Sequence, residues 1–208
     1  FREIMNSENN GATSIADLLF DAANSWPEKP AITFLEETQT WLETKNRCHA
    51  AATLLVSAGV RRGDRVAYLG LNSNVCFESY FTPALIGAVL VPINYRLSIR
   101  EMIECVEDCQ PSVLIVDENF IEQADQLKDA CRSLQTIISF GDRSCPEGMV
   151  SYEDGLYEVM STEKYCELNP SKNDESVVIF YTGGTTGRSK GVVLSNINCA
   201  CNTNCSIP

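Results

Sequence analysis

Apolar positions along this chain switch repeatedly between a helical spacing and short continuous runs. Ala51, Leu54, Leu55 and Ala58 recur at i, i+3, i+4 and i+7 and predict an amphipathic helix that stops at Gly59. Arg65–Leu71, Val89–Ile93, Ser112–Val116 and Thr136–Phe140 are apolar runs of strand length. Between them lie further helices. One starts at Asn72-Ser73-Asn74 and runs through Phe77, Tyr80, Phe81, Ala84 and Leu85, with Pro83 expected to bend it or mark a first turn. Another opens on the capping box Ser98-Ile99-Arg100-Glu101 and ends before Pro111, and a third covers Glu118–Cys131. Upstream, Ala31–Leu35 and Thr40–Leu42 predict a hairpin around Glu36-Glu37-Thr38-Gln39. Strands alternating with helices imply βαβ units, hence an α/β fold with a largely parallel sheet covered on both faces. Residues 141–172 carry breaks at Pro146 and Pro170 and read as a surface excursion with a short helix near Tyr152–Met160.

The last two apolar runs enclose the most informative segment. Val177-Val178-Ile179-Phe180 leads into Tyr181-Thr182-Gly183-Gly184-Thr185-Thr186-Gly187-Arg188-Ser189-Lys190-Gly191, and Val192-Val193-Leu194 leads out. This is strand, glycine-rich loop, strand. Gly183, Gly184 and Gly187 let the backbone turn tightly and bring its N–H groups close to an anion. Thr182, Thr185 and Thr186 add hydroxyl donors, and Lys190 adds a mobile positive charge. The tip is therefore suited to phosphate. A Walker A loop is excluded, because Lys190 is preceded by Ser189, followed by Gly191, and continues into β-branched residues instead of a helix. The dinucleotide fingerprint G-x-G-x-x-G does not occur.

The segment resembles the phosphate loop of the adenylate-forming (AMP-dependent synthetase/ligase) superfamily, whose pattern is roughly [ST]-[SG]-G-T-T-G-x-P-K-G-V. Two positions depart from it. Ser189 stands in place of the usual proline, and Gly183 in place of a frequent serine. The likeness extends over about residues 13–200. Gly63-Asp64-Arg65-Val66-Ala67 resembles the family's strand entry, Asn72 a common turn position, and Gly87–Leu97 a second characteristic segment. In that second segment, Asn94-Tyr95-Arg96-Leu97 is most similar to acyl-CoA synthetases.

The resemblance implies part of the large N-terminal domain of an acyl-CoA synthetase-like ligase. In such enzymes a carboxylate attacks the α-phosphorus of ATP, pyrophosphate leaves, and the thiol of CoA then takes the acyl group. It assigns Thr182, Gly183, Gly184, Thr185, Thr186, Gly187 and Lys190 to the nucleotide phosphates, with Gly187, Arg188 and Ser189 shaping the loop. Mg²⁺ is implied between phosphate oxygens, with one of the loop threonines as a ligand. Adenine and ribose contacts, the acidic metal residue, the acyl pocket and the catalytic lysine are implied downstream, so no catalytic residue is expected within these residues. Residues 1–208 then read as a partial AMP-binding domain that ends after the phosphate loop and lacks the C-terminal domain. The opening on Phe1 and the helix begun near Ser195 or Asn196 and dropped by Pro208 carry that expectation.

Composition narrows the alternatives. A 208-residue chain with 44% apolar residues can bury a substantial core. A net charge of −12 with basic residues clustered only at Arg61-Arg62 near Arg65 disfavours a nucleic-acid partner. Ten cysteines form no C-x-x-C pair and share a single histidine, His49, so a zinc site is not expected. Cys199, Cys201 and Cys205 are the cysteines best placed to test for a metal or disulfide. No secretory signal opens the chain, making a cytoplasmic setting with reduced thiols the default, while peroxisomal or peripheral membrane placement stays open. Two other functions also stay open: a nucleotide- or phosphate-binding module without catalysis, and a non-catalytic remnant acting through apolar faces.

Overall fold

A computed structural model describes residues 14–183 and 189–205, with the side chains of residues 201 and 203–205 outside the description. Helix α1 (Ile15–Ser25) is capped by Ser14, whose hydroxyl accepts from Asp17 N at 3.0 Å. Strands β1 (Pro30–Phe34) and β2 (Glu37–Thr40) form a separate antiparallel hairpin. Its turn is Leu35-Glu36, earlier in the chain than the sequence reading placed it, with Leu35 in the left-handed region at φ 54°. Of the expected strand Thr40–Leu42, only Thr40 belongs to β2, and Trp41 and Leu42 open a helix. Thr40 caps helix α2 (Trp41–Ser57) through a capping box with Glu43, and Trp41 faces inward as its first residue.

The remaining strands form one sheet. It contains β3 (Arg65–Leu69), β4 (Val89–Pro92), β5 (Val113–Asp117), β6 (Thr136–Phe140), β7 (Val150–Ser151), β8 (Ser176–Thr182) and β9 (Lys190–Ser195). The order is β7-β6-β5-β3-β4-β8-β9, and every neighbouring pair is parallel except β8 with β9. Helix α3 (Asn74–Ser79), capped by Ser73, does not continue to Leu85. Pro83 has no N–H to donate, and the chain re-forms as a single 3₁₀ turn, Pro83–Ile86, with the proline in its first turn. That turn ends at Gly87 with φ 74°, where a Cβ would meet the Arg62 guanidinium at 2.6 Å. Helix α4 (Ile99–Cys109) carries the expected Ser98/Glu101 capping box. The stretch Glu118–Cys131 divides into a 3₁₀ turn (Glu118–Phe120) and helix α5 (Ile121–Ala130). Helix α6 (Tyr152–Thr162) and helix α7 (Asn196–Cys205) complete the order.

Alternation along the strands divides the core into two layers, because successive side chains point to opposite faces. Val66, Tyr68, Leu90, Val113, Ile115 and Ile138 pack under α1, α2, α3 and α6. Ala67, Leu69, Val91, Leu114, Val116 and Ile137 pack under α4 and α5, against Met102, Val106 and Leu127. Both faces are covered, which is why the central strands read as continuous apolar runs. Residues 141–172 are more than a surface excursion. They add β7 to the sheet edge and contribute Tyr152, which is fully buried between α2 and α3.

Candidate phosphate-binding hairpin

Strands β8 and β9 pair in register from Ser176 opposite Ser195 to Thr182 opposite Lys190. The strand–loop–strand expectation therefore holds for the described residues. Val178 and Phe180 face the α1/α2 layer, while Ile179 and Tyr181 face the α4 layer. The closing pair sits at the tip: Thr182 Oγ1 donates to the Lys190 carbonyl at 3.5 Å, and both residues are exposed. Gly183 follows, with no atom within 4 Å of where its Cβ would stand. Thr182, Gly183 and Lys190 are thus brought together at one open mouth. Lys190 makes no ion pair among the described residues, which leaves its charge available to an anion. The other members of the sequence-derived set, Gly184, Thr185, Thr186 and Gly187, lie outside the described residues together with Arg188.

Position in the fold reinforces the chemistry. Thr182 ends a strand that runs parallel to β4, so the tip lies at the carboxyl edge of the parallel sheet, the edge at which open α/β sheets bind ligands. A cavity of about 860 Å³ opens on the same edge, where the connections leaving β3 and β5 diverge. Glu36, Glu37, Asp117, Glu118 and Asp142 line it, with no lysine or arginine. Asp117 is occupied in holding loop backbone: it accepts from Leu71 N at 3.4 Å and Asn119 N at 2.9 Å. Such a lining repels phosphate, so this cavity is not suited to anions.

The far end of the hairpin is fixed rigidly. Buried Asn196, at the start of α7, donates to the carbonyls of Ser171 (2.7 Å) and Lys172 (3.1 Å) and accepts from Ile15 N (3.0 Å). Ser195, one of the two caps considered from sequence, engages Asn198: its N–H and hydroxyl reach Asn198 Oδ1 at 3.1 and 2.9 Å. Beside this anchor lies an apolar cleft of about 580 Å³ lined by Trp41, Phe77, Phe81, Phe180 and Leu194 among others.

Among the described residues, no group of three or more His, Cys, Asp or Glu side chains stands close enough to hold a metal ion. Cys48, Cys76, Cys105, Cys109, Cys131, Cys145, Cys166 and Cys199 are free thiols, and Cys48, Cys105, Cys109 and Cys131 are buried in the core. His49 contacts the Cys166 carbonyl and the Tyr165 ring.

The AMP-binding enzyme family matches residues 19–208, nearly the whole chain. The chain belongs to that family. Indoleacetate–CoA ligase of Aromatoleum aromaticum is 34% identical over 170 residues, covering 81% of this chain and 32% of the ligase. Long-chain-fatty-acid–CoA ligase of Thermus thermophilus is 33% identical over 159 residues, covering 76% of this chain and 28% of that enzyme. Among solved structures, the anthranilate CoA ligase AuaEII in complex with anthranoyl-AMP superposes with a TM-score of 0.81 at 25% identity, over 88% of this chain and 35% of that one. This AMP-binding enzyme chain thus spans about a third of the length of the curated relatives it matches. Its mostly parallel, helix-flanked sheet is the one found in those adenylate-forming enzymes. Among the described residues no helix is long and apolar enough to cross a membrane.

Proposed function

We propose that residues 1–208 are the N-terminal part of an ATP-dependent acid–thiol ligase, a partial AMP-binding domain whose hairpin holds the nucleotide phosphates. The observation that carries this reading is the juxtaposition of Thr182, Gly183 and Lys190 at an exposed tip on the carboxyl edge of the sheet. In the proposed reaction a carboxylate oxygen bonds to the α-phosphorus of ATP, and the bond from that phosphorus to the bridging oxygen breaks. The products of this step are acyl-adenylate and pyrophosphate. The thiol of CoA then attacks the acyl carbon and AMP leaves.

The hairpin's contribution is positional and electrostatic. Lys190 neutralises charge on the β- and γ-phosphates, while the hydroxyls of Thr182, Thr185 and Thr186 and the N–H groups of Gly183, Gly184 and Gly187 fix their orientation. Pyrophosphate then departs along one line. A loop threonine would help hold Mg²⁺ brought in with the nucleotide, and the ion would supply charge that offsets that of the phosphates. In this reading the remaining ligand contacts and a catalytic lysine belong to the part of the relatives' length that this chain does not span. The isolated chain is accordingly expected to show no turnover.

A binding or interaction role is favoured by a different observation. The apolar cleft beside Phe180 is open, and Val192, which pairs with Phe180, is exposed. In the ligase reading this surface packs against the rest of the AMP-binding domain. Sequencing the full transcript and weighing the native product separate the two. Continuation into a glutamate-bearing metal motif and a lysine-bearing C-terminal domain supports the ligase, and acid-dependent pyrophosphate release by that product establishes it. A native product ending at Pro208 overturns the ligase reading in favour of the other.

A further inference from the structure

The tip-proximal half of the hairpin is held by a side chain where backbone pairing stops. β8 joins the parallel sheet through a single registered pair with β4, Leu90 opposite Val178. Continuing that register would set Pro92 opposite Phe180, and Pro92 has no N–H to extend the ladder. From Ile179 to Thr182, the registered backbone partner of β8 is the edge strand β9. A two-stranded ribbon is marginal on its own, so side-chain ties to the layer beneath it matter.

Tyr181 supplies the tie. Its hydroxyl donates to Asp108 Oδ2 on α4 at 2.5 Å. The ring lies across Gly191, its partner in the hairpin, where a Cβ would stand 3.3 Å from the ring. Burial and the acceptor Asp108 both raise the Tyr181 pKa, so the hydroxyl keeps its proton for this bond. The same helix touches the hairpin again. Burial pushes the Cys109 thiol up to about 12, with the Tyr181 hydroxyl the largest opposing influence. Burial also raises the Cys105 thiol, while the Ser189 hydroxyl on the far side of the loop draws it back. Ile179 and Tyr181 of β8 pack against the cluster that contains Cys105 and Cys109, so this helix face meets the hairpin up to the mouth of the loop.

We propose that Asp108 is a positioning residue for nucleotide, acting through Tyr181 to set the angle of the hairpin tip on the sheet. The inference rests on the reading of the tip as a phosphate site. Asp108 touches no reacting atom in this account. Its effect falls on how well Thr182 and Lys190 meet the phosphates, and therefore on ATP and not on the acid.

The test is ATP–pyrophosphate exchange by the intact ligase, with thermal midpoints recorded alongside. Tyr181→Phe and Asp108→Ala should each raise the KM for ATP by about tenfold while the KM for the acid stays within about twofold. Asp108→Asn keeps an acceptor oxygen and should restore the ATP KM to within about twofold of the parent. The double variant Tyr181→Phe with Asp108→Ala should be no worse than either single change, because both remove one bond. Unchanged ATP KM values in both single variants overturn the proposal, and so does a lowered thermal midpoint without a selective effect on ATP. Lys190→Met in the same assay separates the two levels. A raised ATP KM for Lys190→Met beside silent tether variants removes only the tether. An unchanged ATP KM for Lys190→Met removes the phosphate site and the tether with it.

Discussion

The Tyr152 hydroxyl donates to Glu78 Oε2 at 2.8 Å, and both side chains are fully enclosed. Arg47 pairs with the same Glu78 carboxylate and also reaches Glu153, at 2.7 and 2.9 Å. Burial works against the Arg47 charge, but Glu153 and Glu78 together raise its pKa. One carboxylate thus joins α2, α3 and α6 behind the sheet. Removing it leaves a buried hydroxyl without its acceptor and a half-buried guanidinium with one partner fewer. Glu78→Ala is expected to cost about 3–5 kcal/mol, and Tyr152→Phe only about 1–2 kcal/mol. Urea unfolding of both variants checks the order, and equal losses would contradict it.

This network also marks the boundary of what the sequence makes legible. The Ser98/Glu101 capping box is local, and the helix it announces is present. The same signature occurs at Thr40 and Glu43, but Trp41 and Leu42 beside it have strand propensity that masks it. The β1–β2 turn departs from its expected position for a different reason. Leu35 takes a left-handed conformation that leucine does not advertise, and neither glycine nor asparagine marks the position. Glu78 and Tyr152 are 74 positions apart, and Asp108 and Tyr181 are 73 apart, so no spacing rule connects them. The glycine-rich segment is legible because its candidate chemistry is packed into eleven consecutive residues, 181–191.

Asn196 is the second structural joint. Asn196→Ala leaves the Ile15 N–H and two carbonyls without their partner and is expected to cost about 2–3 kcal/mol. Asn196→Asp should be worse, because it sets a carboxylate against the Ser171 and Lys172 carbonyls in a buried site. Chemical denaturation gives the ranking. An aspartate variant as stable as the parent would contradict the assigned hydrogen bonds.

The helix caps give a pH dependence with a definite sign. Hydrogen bonds from the Thr40 backbone and hydroxyl lower the Glu43 pKa below its ordinary 4.5, and those from the Ser98 hydroxyl and backbone do the same for Glu101. A lowered folded-state pKa means the cap stabilises fully above the ordinary value. That stability is lost as pH falls through the lower folded-state value. Glu43→Gln and Glu101→Gln should therefore be less stable than the parent at about pH 6 and converge on it near about pH 3. Thermal midpoints across that range test this, and a gap that widens toward acid would contradict it.

The open cleft beside Trp41 and Phe180 predicts behaviour of the isolated chain. Covering an apolar surface of this kind is favourable at roughly 25 cal/mol per Å². Self-association that rises with concentration is expected in sedimentation, and Phe180→Ser should weaken it. A strictly monomeric chain at about 100 μM would show that the cleft needs no cover.

The central claim is that this hairpin holds the phosphates of ATP for activation of a carboxylic acid. Its most direct test is acid-dependent exchange of labelled pyrophosphate into ATP by the intact protein, compared between the parent and Lys190→Ala. Exchange that requires the acid and falls by about a hundredfold in kcat/KM for ATP in Lys190→Ala is the expected result. Exchange that is absent from the intact protein, or indifferent to Lys190, would contradict the account.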